Sequence, residues 1–166
     1  LDMSEKHQLD ETNKKILAIL QVNARTPNTE IARQVGLTTS AVHERIRKME
    51  ERGIIGGFTV QINSQALGLE LVAFVGIRLR PHRAAPKVGA ALEHVAGVEE
   101  IYHLAGEECF MAKVRCGDTR QLEDILLEIN DIEEIFATRT TIALRPFKES
   151  CGAQVKDYEI VNKSED

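Results

Sequence analysis

The chain has 166 residues, 43% of them hydrophobic but only 4% aromatic and none tryptophan, and its formal net charge is −5. That length holds one ordinary domain or two small ones with aliphatic cores. The lack of an apolar N-terminal stretch, or of any apolar run of about 18 residues, argues against a signal peptide or membrane span and for a cytoplasmic location. The acidity is uneven: residues 1–60 carry nine Lys/Arg and eight Asp/Glu, residues 61–166 twelve and eighteen, so the first third does not exclude a nucleic-acid partner.

Met3 reads as the natural start, and Leu1 and Asp2 are left out of the fold. Leu9-Asp10-Glu11-Thr12-Asn13 leads into a helix with Ile16, Leu17, Ile19 and Leu20 on a broad apolar face, with Asp10 as N-cap and an end near Asn23. After Ala24-Arg25-Thr26-Pro27, Asn28 or Thr29 is expected to cap a second, short helix running to Val35. Gly36 then turns the chain into a third helix, capped by Thr38 or Thr39 and ended by Gly53. Val42, Ile46 and Met49 share one stripe of it and face a core, while Ser40, His43, Glu44 and Arg47 point away.

Helix, short helix, glycine turn and helix make a helix-turn-helix, whose last helix is the one that enters the major groove. The candidate DNA-binding residues are therefore Thr38, Thr39, Ser40, His43, Arg45, Arg47 and Lys48. Arg47 suits guanine or phosphate, and His43 and Ser40 suit base edges or phosphates. Glu44 either accepts from cytosine or, the favoured reading, restrains Arg47 and Lys48, and Arg45, nearer the apolar stripe, is read as structural or phosphate-directed. The plain alternative is a solvated helix face.

Ile54 to Asn63, with Gly56 and Gly57 inside it, reads as β-like and as a wing, which makes the first domain a winged helix-turn-helix over residues 9–63. Asn63 to Gly68 reads as the connection. Leu71 to Arg80 alternates as a strand, with Leu71, Ala73, Val75, Ile77 and Leu79 on one face and Phe74 on the other, and Pro81 stops it. A helix follows from Ala84 to Val95, then a strand from Val98 to Leu104, a turn at Gly106-Glu107-Glu108 and a strand from Phe110 to Cys116. Asp118 or Thr119 caps the next helix, whose stripe is Leu122, Ile125, Leu126 and Ile129; Ile135 to Leu144 is the last strand, with Thr138, Thr140 and Ile142 on one face. The order βαββαβ predicts a ferredoxin-like sheet over residues 64–149 with both helices on one side, and the fold class is α+β. The other side needs a cover, most simply a second copy. A polar tail, 150–166, completes the chain.

Cys109, Cys116 and Cys151 are odd in number and form no C-x-x-C pair, which speaks against a disulfide framework or zinc cluster. Cys109 is either a thiol sensor or, more simply, a small buried hydrophobe. His82, His94 and His103 have no metal-ligand spacing. No metal or resident cofactor is expected.

Leu9 to Leu17, Ala32 to Thr38, Val42 to Glu50 and Gly53 to Phe58, followed by βαββαβ, resemble the Lrp/AsnC family, the leucine-responsive or feast/famine transcriptional regulators. The resemblance implies a regulator that binds double-stranded DNA as a homodimer, assembled further into tetramers or octamers. It also implies an amino-acid effector at the interface of its RAM sensing domains. Family members commonly carry Gly-Asp-aromatic-Asp at the central turn, where this chain has Gly106-Glu107-Glu108-Cys109; the Thr-x-Thr of the last strand is matched by Thr138 and Thr140. Gly106, Glu107, Glu108, Cys109, Thr138 and Thr140 are thus the candidate ligand residues. The carboxylates of the turn are expected to favour a cationic or polar amino acid over leucine.

Two other readings share this plan. Sirohaem decarboxylases have it, so a tetrapyrrole-binding enzyme is the alternative, against which the hydroxyl-capped basic helix argues. No nucleophile paired with a base, and no phosphate loop, suggests another reaction. The third reading is a sensor whose DNA-binding domain is non-functional.

Overall fold

The computed structural model describes residues 9–80 and 84–149, and the expectations placed on Met3, Pro81, His82, Cys151 and the tail lie outside the described residues. The chain divides into two compact units between Val60 and Gln61.

The first unit is built from α1 (Glu11–Val22), α2 (Asn28–Val35) and α3 (Thr39–Glu51). Asp10 caps α1 by accepting from the Asn13 N–H at 2.7 Å, as its sequence position predicts. No side chain caps α2. It begins at Asn28 itself, behind Pro27, whose φ of −61° and ψ of 144° set an extended entry and whose carbonyl accepts from Glu30 and Ile31. Gly36 ends α2 in the left-handed region at φ 71°, where the Leu37 N–H returns to the Ala32 carbonyl at 3.0 Å. The core joins Ile16, Leu17 and Leu20 of α1, Ile31 and Ala32 of α2, and Val42, Ile46 and Met49 of α3. The apolar stripes read from the sequence are those that meet.

The expected wing is not formed. The Ile54 and Ile55 N–H groups turn back to the Met49 carbonyl at 2.8 and 3.2 Å, and both side chains pack on the helical core. From Gly56 to Asn63 no strand occurs, and Phe58, Val60 and Ile62 are exposed. An extended segment without a pairing strand makes no ladder, whatever its β propensity.

The second unit opens with a 3₁₀ turn, Ser64–Leu67, and continues as β1 (Leu71–Leu79), α4 (Ala85–Leu92), β2 (Val98–His103), β3 (Phe110–Cys116), α5 (Thr119–Asn130) and β4 (Ile135–Ala143). The four strands are antiparallel in the order β2-β3-β1-β4, the ferredoxin-like arrangement. Ala73, Val75, Ile77 and Leu79 of β1 lie in one core with Phe110, Ala112 and Val114 of β3, Val88 and Leu92 of α4, and Leu122 and Ile129 of α5. α4 stops earlier than its apolar spacing suggests. His94 and Val95 donate to Ala91 and Leu92, so the last turn tightens, yet Val95 remains in the core. Asp118, rather than Thr119, caps α5. No helix among the described residues is long and apolar enough to cross a membrane.

Candidate functional site

The first unit presents the N-terminal half of α3. Thr38, in an extended conformation, accepts from the Ala41 N–H at 3.2 Å, and its hydroxyl lies 3.1 Å from that of Ser40. Two hydroxyls thus sit together at a positively polarised helix end. Because Val42, Ile46 and Met49 are held in the core, Thr39, Ser40, His43, Arg47 and Lys48 are forced outward and are exposed. This is the face the sequence predicts.

The charged residues of α3 divide by partner. Arg47 is held by Glu44 through two hydrogen bonds, Nε to Oε2 at 3.0 Å and Nη2 to Oε1 at 2.6 Å, and its Nη1 donates to Glu51. The Arg47 hydrogen bond holds the Glu44 carboxyl below its usual range and the pair raises Arg47 in turn. Lys48 also approaches Glu44, at 3.6 Å. Glu44 is therefore a restraint on its basic neighbours, and Glu51 is a second one that sequence spacing alone could have suggested. Arg45 turns inward: its Nη1 donates to Asp10 at 2.6 Å and to Asn13 at 3.0 Å, tying α3 to the start of α1. It serves the helix frame. A partner 35 positions away leaves no local pattern by which to find it.

Asp10 combines cap and ion pair. The hydrogen bond from Arg45 holds its carboxyl below the ordinary value, against burial, which acts the other way. A depressed folded pKa means that the stabilisation is complete above the unfolded value, near 3.9, and is lost as pH falls through the folded one. Asp10→Ala is expected to lose about 1 kcal/mol at neutral pH, from the cap. Asp10→Asn keeps a cap but removes the charge, so its melting temperature should fall less steeply than wild type below about pH 4. Parallel slopes in thermal melts would assign the acid sensitivity elsewhere.

The second unit holds the other candidate. A small cavity of about 140 Å³ is lined by Gly76, Arg78, Glu107, Glu108, Ala137, Thr138 and Arg139. Glu107 pairs with Arg78 at 3.3 Å and Glu108 with Arg139 at 2.6 Å. Arg78 and Arg80 both stack on Phe136, at 5.2 and 4.6 Å from its centroid. Each carboxylate of the turn has its own guanidinium. The surplus of negative charge expected from the turn is absent, and a charge-balanced site suits a zwitterion.

The sequence candidates are only partly brought together. Glu107, Glu108 and Thr138 line the cavity; Gly106 is exposed beside it, and Cys109 is 3% exposed among core residues, with its N–H on the Ile77 carbonyl. Thr138 and Thr140 lie opposite Ile77 and Val75, so their side chains share the helix-covered face; the Thr138 hydroxyl donates to Asn130 at 3.3 Å. The open-face residue between them is Arg139, opposite Gly76. Arg139 and Gly76 were not among the expected ligand residues, although a glycine inside a strand pattern is itself a signal of close approach. Among the described residues no group of His, Cys, Asp and Glu is placed to hold a metal.

The open face of the sheet also bears Phe74 and Tyr102, both exposed, and a charged cluster. Lys113 approaches Glu99, Glu100 and Glu149 at 3.0 to 3.2 Å, and Arg115 pairs with Glu99 and Glu149. Burial works against the Lys113 charge, but these carboxylates outweigh it and raise its pKa.

Residues 9–50 match the AsnC-type helix-turn-helix domain and residues 72–152 the Lrp/AsnC ligand binding domain. The chain is 33% identical over 148 residues to the HTH-type transcriptional regulator FL11 of Pyrococcus furiosus, covering 89% of this chain and 97% of that protein. Among solved structures it is similar to Escherichia coli AsnC, with a TM-score of 0.82 at 32% identity over 87% of this chain and 98% of that one. A feast or famine regulatory protein from M. tuberculosis, complexed with L-methionine, superposes with a TM-score of 0.81 at 35% identity over 88% and 99% of the two chains.

Proposed function

This chain belongs to the Lrp/AsnC family of transcriptional regulators, and from that premise we propose that it is a cytoplasmic, non-enzymatic homodimer that reads double-stranded DNA under the control of an amino acid. The DNA-binding domain is taken as residues 9–63 and the sensing and dimerisation domain as 64–149. The observation that carries the reading is the outward face of α3, where a hydroxyl-capped helix start leads into exposed Thr39, Ser40, His43 and Arg47. Relatives that are transcriptional regulators support this over a tetrapyrrole decarboxylase. Dimerisation through the open sheet face, where Phe74 and Tyr102 lack a cover within the described residues, sets two α3 helices on half-sites about one helical turn apart, or a multiple of it. Further assembly into tetramers or octamers follows if the dimers carry a second contact.

The cavity beside Glu107 and Glu108 is the proposed effector site. Its balanced pairs of Arg and Glu support an α-amino acid, and the L-methionine complex of a relative supports the same class.

Arg47→Ala tests the DNA assignment. Binding to the upstream region of its own gene, measured by anisotropy at fixed salt, is expected to weaken by roughly 1–3 kcal/mol, or about 5- to 150-fold. Unchanged affinity would remove Arg47 from the interface. Absence of binding by the wild-type chain to any such DNA would leave a sensor without a working DNA-binding domain.

A further inference from the structure

A glycine in a strand interior loses packing and backbone entropy, so its presence points to something that needs the missing side chain. Gly76 lies in the middle of β1, flanked on the open face by Met111 of β3 and Arg139 of β4. A Cβ built there would come within 2.7 Å of the Glu108 carboxyl carbon and one of its oxygens. Glu108 thus reaches from the turn before β3 and lays its carboxylate in the groove over Gly76. There its Oε1 accepts from Arg139 Nη2 at 2.6 Å. The pair is lopsided, for the Glu108 side chain is 17% exposed whereas that of Arg139 is 76% exposed. In the single chain the guanidinium is open to an incoming carboxylate, whereas the glutamate is already seated.

We propose that Glu108 is a built-in stand-in for the effector carboxylate, holding Arg139 and exchanging partners when an amino acid binds. This rests on the reading of the cavity as an amino-acid site. The α-carboxylate of the effector takes over Arg139, and Glu108, released, accepts from the α-ammonium. The exchange explains the selection of a zwitterion. A ligand with a carboxylate alone displaces Glu108 into a part-buried position with no cation, which is unfavourable, whereas an amino acid brings the replacement cation with it. Gly76 supplies the room in which the carboxylate rests, and Arg139 is the binding residue that the Thr-x-Thr pattern does not indicate.

Isothermal titration calorimetry of the full-length chain tests this with L-leucine and L-methionine as zwitterions and 4-methyl-2-oxopentanoate as the carboxylate without an ammonium. Wild type is expected to prefer the amino acids by at least about tenfold, the scale of one charged hydrogen bond. Glu108→Gln, which keeps the shape, and Glu108→Ala, which empties the groove, should lose that preference, with Glu108→Ala taking up the oxo acid more tightly than wild type does. Arg139→Gln should weaken all of the ligands by about tenfold or more. Retention of the wild-type preference by both Glu108 variants, or full affinity in Arg139→Gln, would overturn the exchange while leaving the amino-acid site in place. If wild type binds neither amino acid, the effector reading fails instead. In that case oxo-acid uptake by Glu108→Ala, lost in the double variant with Arg139→Gln, still supports the stand-in, and no uptake overturns it.

Discussion

Met49→Ala is expected to destabilise the DNA-binding unit by about 2–5 kcal/mol, the cost of removing a large buried side chain and leaving a cavity. Met49 is 1% exposed at the end of the α3 core stripe, and its carbonyl anchors the return of Ile54 and Ile55. The backbone acceptor survives the substitution, so the loss is one of packing. A three-helix unit this small has little stability in reserve, and a loss of that size depopulates the folded reading helix. Hydrogen exchange should report it, with faster exchange of α1 to α3 amides while those of the sheet stay protected. DNA affinity should fall as the folded fraction falls, although Met49 touches no DNA in the proposed geometry. A loss below about 1 kcal/mol would mean that the core relaxes into the space, as methionine sites sometimes allow.

In the sensing unit the largest single effect is expected from Gly97→Ala. Gly97 has a φ of 86°, and an added Cβ would lie 2.7 Å from Ile125 Cδ1 and 3.0 Å from the backbone oxygen of Arg115. Its own carbonyl accepts from Arg115 at 2.8 Å at the start of β2, so the backbone is poorly placed to yield. The left-handed conformation costs roughly 1–2 kcal/mol for an L-residue and the overpacking another 1–3, giving about 2–5 kcal/mol together. For a unit of this size that lowers the melting temperature by roughly 8–40 °C. Gly68→Ala is the control: its φ is 72° but nothing lies within 4 Å of the added carbon, so only the conformational cost of roughly 1–2 kcal/mol applies. Equal effects at the two glycines in thermal melts would show that crowding by Ile125 and Arg115 does not matter.

Much of the molecule was legible because it depends on near neighbours. Asp10, Thr38 and Asp118 cap the helices that follow them, since a cap needs only a short polar side chain within three residues of a free N–H. The α3 stripe of Val42, Ile46 and Met49 is buried as helical spacing requires, and that burial turns Ser40, His43 and Arg47 outward. The alternation in β1 likewise separated Ala73, Val75 and Ile77 from Phe74.

What the sequence by itself determined, then, is where elements start, which residues share a face, and that an AsnC-type helix-turn-helix precedes a βαββαβ sheet. Tertiary structure alone decided which face each residue meets and with which distant partner. Alternation places Thr138 and Thr140 together, but only the register against Ile77 and Val75 puts them under the helices and leaves Arg139 on the open side. The β propensity after Gly53 made no wing, because a strand exists only with a partner to complete its hydrogen bonds. Arg45 found Asp10 and Glu108 found Gly76 and Arg139 across 31 or more positions of chain, pairings that no local period encodes. Local rules act through backbone neighbours, whereas a cavity is assembled by strand register and packing, and that is why the outward face of α3 was legible and the places of Gly76 and Arg139 beside Glu108 were not.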